Sequence, residues 1–517
     1  MIDQPDSPLP ASPGAQGVPR LAEHHDRSAR HSTGRTAIRV ATVLGYCAYA
    51  SYVLWQATAG DPLIWNDSEA YQSIAKHPVI SHGFLFGRRP PLVPVLVKLT
   101  GSAQAFIVVQ SVIAVASWSF LAWTVGRTVP SGWRRLAASW TILAFASSVP
   151  VVLWNRSLLS ESLSISAIAL LTAALIWLVR QMTWPRVLAV AAACVVLAFG
   201  RDALEGLVGL LGMVAAIGSL GCWRRRRTAA IRLGALAAGL LGLFALAVLG
   251  TSVSQRPTAN VTAVFAVRVF PFPDRVNWFA AHGMPEKSAI EGIARGTGDP
   301  SGRDAKVVAV PLSGTTFAPL RHWIATSGPS EYLLWLVSHP LYDLTEPLVR
   351  PERSFNFARG NLLFYAASTG RSDSPLTVVL WPPFLGFVVL ACASLFIGIW
   401  NRVWNDRLWL LGLALTVFGL WTSLIAWHGD GQEVTRHMIE GLVQVRIGVV
   451  LMVIIGLLRY TSAERDARFR AEFGRRDTGE TDASAGRGDS RPVSGGGDRS
   501  EEVRRSSPRH RYICRTS

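Results

Sequence analysis

The sequence predicts an all-α polytopic membrane protein of about ten transmembrane helices with one extracytoplasmic loop domain. Three observations predict it. Half of the 517 residues are hydrophobic and only 16% are charged, too apolar a balance for an ordinary soluble chain. The apolar residues gather in runs of about 20, the length a helix needs to cross a hydrocarbon core. The net charge of +17 resides largely on arginines in short loops and tails between those runs. That is the positive-inside pattern of a membrane protein, and it argues against nucleic acid as a partner.

The elements follow in order. Residues 1–37 are rich in Pro, Ser, Arg and His without apolar periodicity and read as a disordered cytoplasmic arm. The first apolar run, about 38–58, ends in Ala57-Thr58-Ala59, which matches a signal-peptidase site. The run is too long for a usual signal core and follows a long polar arm, which favours an uncleaved anchor. Further spans read at about 103–125, 136–153, 159–179, 183–200, 203–222, 229–252, 377–400, 408–427 and 438–458. The chain thus divides into spans one to seven within 38–252, an extracytoplasmic loop domain at 253–376, and spans eight to ten within 377–458. A basic, low-complexity tail at 459–517 completes it.

Loop charge sets the orientation. Arg127, Arg134 and Arg135, then Arg180 and Arg186, then Arg224 to Arg227, then Arg402 and Arg407 all fall inside if the N-terminus is inside. Ten spans return the tail to the same side, so both termini are expected in the cytoplasm. Lysine occurs only at Lys76, Lys98, Lys287 and Lys306. Together with abundant Ala and Gly, this matches a GC-rich bacterial genome and an inner-membrane location. The cysteines Cys47, Cys194, Cys222, Cys392 and Cys514 avoid the expected outer segments, so no disulfide framework is implied. In the long loop, Glu331 to Pro340 is apolar and aromatic and reads either as a core helix of that domain or as an interfacial one. No internal repeat is evident, which argues against an inverted-repeat transporter.

Polar residues return repeatedly to the outer side. The first loop, 59–102, carries Asp67, Glu69 and Tyr71, then Arg88-Arg89 before Pro90-Pro91. Two carboxylates at this spacing can share a divalent ion such as Mg or Mn, or divide the roles of base and ligand holder, or simply form an exposed acidic loop. The two arginines suit either a phosphate grip through the planar guanidinium or contact with lipid headgroups. The fourth span opens with Ser157, Ser160, Glu161 and Ser164 at helical spacing. Arg201, Asp202 and Glu205 occupy a turn between two spans. Arg201 and Glu205 can pair along one helix, but a charged turn with so little loop is expected to line a wet cavity. The last outer turn brings Glu433, Arg436, His437 and Glu440 onto one helical face, with Gln444 one turn deeper.

These residues carry a resemblance. Asp67-Ser68-Glu69-Ala70-Tyr71 followed by Arg89-Pro90-Pro91-Leu92-Val93-Pro94 resembles the first extracytoplasmic loop of polytopic GT-C glycosyltransferases. These include protein O-mannosyltransferases and the lipid A aminoarabinose transferase. Leu159-Ser160-Glu161-Ser162-Leu163 is similar to the Ser/Thr-Glu opening of a later span in that group, and Gly200 to Gly206 to its Arg-x-x-x-Glu-Gly turn. The match covers the first 220 residues best. The Asp-x-Glu spacing departs from the paired acids of some relatives, and 253–376 matches nothing that would identify an acceptor.

The resemblance implies an enzyme that moves a sugar from a polyprenyl-phosphate donor to an extracytoplasmic acceptor hydroxyl on a glycan, lipid or protein. Asp67 is then the expected base and Glu69 the residue that positions the acceptor or shares a metal. Arg88, Arg89 and Arg201 are expected to bind the donor phosphate. Tyr71, Glu161, Asp202, Glu205, Glu433, Arg436 and His437 are expected to shape the cavity. A transporter or flippase of a lipid-linked or anionic solute is the alternative, and a non-catalytic subunit of the same fold is a third reading.

Overall fold

The computed structural model describes residues 19–130, 132–254, 261–285, 315–349, 375–429 and 434–459. The chain divides into two units, 1–461 and 462–517, and every described residue belongs to the first. Among the described residues the architecture is helical. Seven helices are long and apolar enough to cross a membrane, so the protein is a multi-pass membrane protein. In chain order these spans are Thr36–Thr58, Ala103–Gly126, Glu161–Arg180, Asp202–Cys222, Arg227–Ser252, Arg407–Gly429 and Ile439–Leu458.

The remaining three expected spans take other forms. Trp133–Ala146 and Val149–Arg156 pass the same test as a pair but are bent by 58°. Pro150 explains the break, because it lacks an amide proton and cannot continue the preceding helix. The corner is held from outside: Trp381 Nε1 donates to Ser148 Oγ at 2.8 Å, and the Val149 amide donates to Thr377 Oγ1 at 3.3 Å. Trp184–Gly200 and Phe384–Trp400 are apolar but only 17 residues long. The helix containing the first span begins at Pro19, inside the arm expected to lack order. Once a span has nucleated, adding further turns requires little, and this stretch contains helix formers such as Leu21, Ala22, Glu23 and Arg27.

The helices that build the site are labelled here α1 (Asn66–Ala75), α2 (Ala103–Gly126), α3 (Glu161–Arg180), α4 (Trp184–Gly200), α5 (Glu205–Cys222), α6 (Arg407–Gly429), α7 (Val434–His437) and α8 (Ile439–Leu458). Helices α3 and α8 are the most buried spans. Helix α8 packs along α6 with backbone in contact. A Cβ added at Gly419 would lie 2.6 Å from the Val445 nitrogen and 2.7 Å from the Gly441 carbonyl. Small residues at such a crossing let two helices approach closely enough for dispersion forces to hold them in lipid.

Short non-helical segments are pinned to these helices by buried hydrogen bonds. The Leu63 amide donates to Arg156 O, and the Leu158 amide donates back to Leu63 O. Ser68 Oγ donates to Leu158 O at 2.8 Å. From α2, Gln110 Nε2 donates to Asn155 O and Ser157 O at 2.9 and 2.8 Å. These bonds satisfy backbone carbonyls that a non-helical stretch would otherwise leave bare in an apolar setting. They also fix the first loop against the start of α3.

Residues 261–285 and 315–349 form short helices around an aromatic core that includes Phe265, Phe279, Tyr332 and Trp335. This subdomain docks on the end of α6. Glu346 accepts from Arg268 at 2.7 Å and from Trp427 Nε1 at 2.9 Å, and His428 Nε2 lies 2.6 Å from Asp343. The Glu331–Pro340 stretch divides its residues: Tyr332 and Trp335 are buried, while Leu333, Leu334 and Val337 are exposed. Among the described residues Cys47, Cys194, Cys222 and Cys392 are free thiols, and Cys514 lies outside them.

The helix ends sort into two sets. The starts of α2, α3, α5 and α8 and the ends of α4 and α6 carry the polar segments just described. The opposite ends carry Arg127, Arg135, Arg180, Arg186 and Arg459. At 20 residues, α3 separates the two sets by about 30 Å along its axis.

Candidate active site

A cavity of about 240 Å³ opens where α1, α4, α6 and α7 meet. Asp67, Arg89, Arg201, Asp202, Arg436 and His437 supply its charged and titratable lining, with Tyr71 and Ser160 beside them. Residues from positions 67 to 437 thus converge on one small volume.

The charges form one connected network. Asp67 on α1 presents one carboxylate oxygen to Arg89 and the other to Arg436. The Arg436 Nε lies 2.9 Å from Glu161 Oε1, and the Arg201 Nη1 lies 3.2 Å from the same atom. Arg201 Nη1 also donates to Glu440 Oε1 at 2.6 Å. Glu161 and Glu440, each 1% exposed, stand behind the arginines and are not among the cavity lining. They fix the guanidiniums while leaving their other edges toward the cavity.

Local backbone explains the aim of these side chains. Arg201 follows the last turn of α4 in an extended conformation, with φ −162° and ψ 129°. The 3₁₀ turn 202–204 then starts the next span. The break turns Arg201 off the helix, toward Glu161 and Glu440. Arg436 and His437 occupy the four-residue α7 between α6 and α8. Glu161 and Glu440 occupy the first turns of α3 and α8, where carboxylates complement the helix dipole.

Electrostatics set two protonation states. Burial pushes the Asp67 carboxyl up, but Arg436 and Arg89 outweigh it, and the acid stays below the ordinary carboxylate range. His437 moves well below the usual imidazole range, through burial first and then through Arg201, Arg436 and Arg89. Arg201 Nη2 lies 2.7 Å from His437 Nδ1. A guanidinium only donates, so Nδ1 accepts and the proton of the neutral ring sits on Nε2. His437 therefore carries its ring proton on Nε2 and has no open base nitrogen at Nδ1. Burial likewise raises the Tyr71 phenol, which remains a protonated donor.

The sequence-predicted residues separate into groups. Asp67, Tyr71, Arg89, Arg201, Asp202, Arg436 and His437 line the cavity, and Glu161 backs it. Glu205 is buried and accepts a hydrogen bond from Thr251 at 2.8 Å. Arg88 is exposed and outside the lining, because adjacent residues in the bend before Pro90 point apart. Arg436 supplies the third guanidinium instead. Glu69 is exposed as well. Residues two apart on a helix face different sides, so α1 carries Glu69 away from Asp67. Glu433 lies outside the described residues.

The donor set does not fit a divalent ion shared by Asp67 and Glu69. Both Asp67 oxygens are held by guanidiniums. Among the described residues no group of three or more His, Cys, Asp or Glu side chains is arranged to hold a metal. Sequence reasoning named Glu440 only as part of a polar face. It missed Arg268, Arg275 and Glu346, because an ion pair spanning about 70–80 residues leaves no local spacing signal. Comparison with protein-family models, curated proteins and solved structures finds no significant match.

The depressed His437 value predicts a pH dependence. The folded state binds this proton less readily than the unfolded chain, whose imidazole titrates near about 6.5. Stability should therefore fall as pH drops below that value and level off once pH passes the lower folded value. Melting temperatures between pH 7.5 and 5 should decline less for His437→Gln than for the wild type. Equal slopes would show that the ring is not held neutral.

Proposed function

We propose that the protein is a bacterial inner-membrane glycosyltransferase that takes a sugar from a polyprenyl-phosphate donor and passes it to an acceptor hydroxyl outside the cytoplasm. The observation that carries this reading is the convergence of Arg89, Arg201 and Arg436 with Asp67 on one cavity at one end of the helices. The bent pair and the two 17-residue helices complete ten spans, with both termini in the cytoplasm and the loop domain outside. The arginine-rich helix ends then face the cytoplasm, and the cavity faces the other way. Nucleotide sugars are cytoplasmic, so an outward site takes its sugar from a lipid carrier. The resemblance of 67–71, 89–94 and 159–163 to GT-C enzymes supports the same conclusion.

The chemistry follows from the network. The acceptor oxygen attacks the anomeric carbon, and the bond from that carbon to the phosphate oxygen breaks. The electron pair leaves with polyprenyl phosphate, whose growing charge is met by Arg89, Arg201 and Arg436. The hydroxyl proton passes to Asp67. While two guanidiniums hold it, Asp67 is a weak base. An entering phosphate competes for Arg89 and Arg436 and loosens that hold, so donor binding raises the basicity of Asp67. Positioning contributes the larger part of the rate enhancement, because a carboxylate remains a modest base toward a sugar hydroxyl. His437 Nε2 and the Tyr71 hydroxyl are donors suited to sugar or phosphate oxygens.

The test is release of polyprenyl phosphate from a panel of lipid-linked sugars by purified full-length protein. Asp67→Asn removes the proton acceptor and should lower transfer by about 10²–10⁴-fold while donor binding persists. Arg436→Lys keeps the charge and loses the planar fork, so donor affinity should fall by about 10–100-fold. Near-normal transfer by a folded Asp67→Asn protein would remove Asp67 as the base. Movement of an intact lipid-linked solute across vesicles without cleavage would favour a transporter instead.

A cysteine replacing exposed Glu69 should react with an impermeant thiol reagent added outside intact cells, whereas one replacing Ser131 should not. The opposite labelling would overturn the outward site.

A further inference from the structure

The end of the bundle opposite the cavity carries a charge imbalance that the proposed reaction does not use. The loop segments 127–135, 180–186, 223–227 and 401–407 contain eleven arginines and one acid, Asp406. Asp406 is engaged at 2.8 Å by Arg459. Arg180, the last residue of α3, lies within Coulombic range of Arg127, Arg135, Arg186 and Arg459. Arg127 and Arg135 also oppose each other. Geometry places two of these pairs together: Arg186 Nη1 donates to Trp177 O and Gln181 O at 2.8 and 2.9 Å, beside Arg180, and a Cβ added at Gly126, next to Arg127, would lie 3.3 Å from Arg135 Cγ. Four guanidiniums from four other helix ends therefore stand near Arg180 and raise the energy of its charge. Helix C-termini favour cations, which accounts for Arg127, Arg180 and Arg459 singly. It does not account for Arg135, which sits in the first turn of Trp133–Ala146, where the dipole disfavours it.

A second observation fixes the depth of this cluster. Arg127 lies over the Trp123 ring at 5.7 Å and Arg186 over the Trp177 ring at 5.2 Å. Trp133 and Trp184, at the starts of the adjoining helices, are 62% and 45% exposed. Indoles gathered at helix ends mark the membrane–water interface, so these guanidiniums stand at the level of lipid phosphates. The planar fork of arginine matches phosphate oxygens two at a time, and basic pockets between membrane helices are suited to anionic headgroups.

We infer that Arg127, Arg135, Arg180, Arg186 and Arg459 form a binding site for the phosphodiester headgroup of an anionic phospholipid. The bound phosphate relieves the repulsion and ties the ends of α2, α3 and α8 to Trp133–Ala146. The site requires only that this end meet a bilayer surface, so it stands or falls independently of the glycosyltransferase reading.

The experiment compares melting of full-length wild type and Arg180→Gln in phosphatidylcholine micelles with and without phosphatidylglycerol. Phosphatidylglycerol should raise the wild-type melting temperature. Without it, Arg180→Gln should melt at or above the wild type, because a repulsive charge is gone. With it, the variant should melt below the wild type. Arg225→Gln, outside the cluster, should respond to the lipid as the wild type does. If Arg180→Gln melts lower in both conditions, or if its response to phosphatidylglycerol equals the wild type's, the site is overturned. Equal stabilisation by millimolar inorganic phosphate would assign the cluster to a free anion and overturn the lipid.

Discussion

The shared carboxylate of Glu161 is the interaction on which the site depends. One oxygen lies within 2.9 and 3.2 Å of two guanidiniums, Arg436 and Arg201, that stand 235 positions apart in the chain. Arg436 continues the link to Asp67, and Arg201 continues it to Glu440. The first loop, α3, the turn after α4, and the α7–α8 junction are thereby joined through alternating charges. Breaking one member of a buried pair costs about 3–5 kcal/mol, chiefly because the remaining charge has lost its partner. Five buried or half-buried groups in series make that penalty cooperative. The geometry of the cavity is consequently set by electrostatics, while the helices behind it are set by close packing in lipid.

That division also explains how one scaffold can hold a cavity rich in arginine within an apolar protein. Three guanidiniums near one another repel unless carboxylates lie between them. Glu161 and Glu440 provide that balance from behind, at 1% exposure, and leave the open face to Arg89, Arg201 and Arg436. Asp67 is the one network acid on the open face that a phosphate could replace. An anion entering the cavity therefore meets donors already fixed in place, and within the network one carboxylate competes for them, while Asp202 adds a second acid to the lining. The aromatic subdomain closes the arrangement by holding the end of α6, whose Ala426 and Gly429 form part of the cavity wall.

Much of this was legible in the sequence, for identifiable reasons. Spans announce themselves through length and apolarity, and Glu161, Arg201 and Arg436 stood out because charge at span ends is expensive and rare. Their convergence could be expected once alternating spans returned each to the same side. The 58° break followed from Pro150 only after its neighbours were known. The exposure of Glu69 is not legible from acidic spacing alone, because it depends on the helix that turns Glu69 away from Asp67. The pair Arg88-Arg89 likewise does not reveal in sequence that only Arg89 faces the cavity from the bend before Pro90. The role of Glu440, 239 positions from its partner Arg201, left no local trace.

The most direct test of the central claim is an experimental structure of the full-length protein with polyprenyl phosphate, the expected product. The account predicts its phosphate among Arg89, Arg201 and Arg436, with at least one guanidinium released from Asp67. A phosphate bound elsewhere, with the Arg89–Asp67–Arg436 pairing unchanged and the cavity empty, would contradict it.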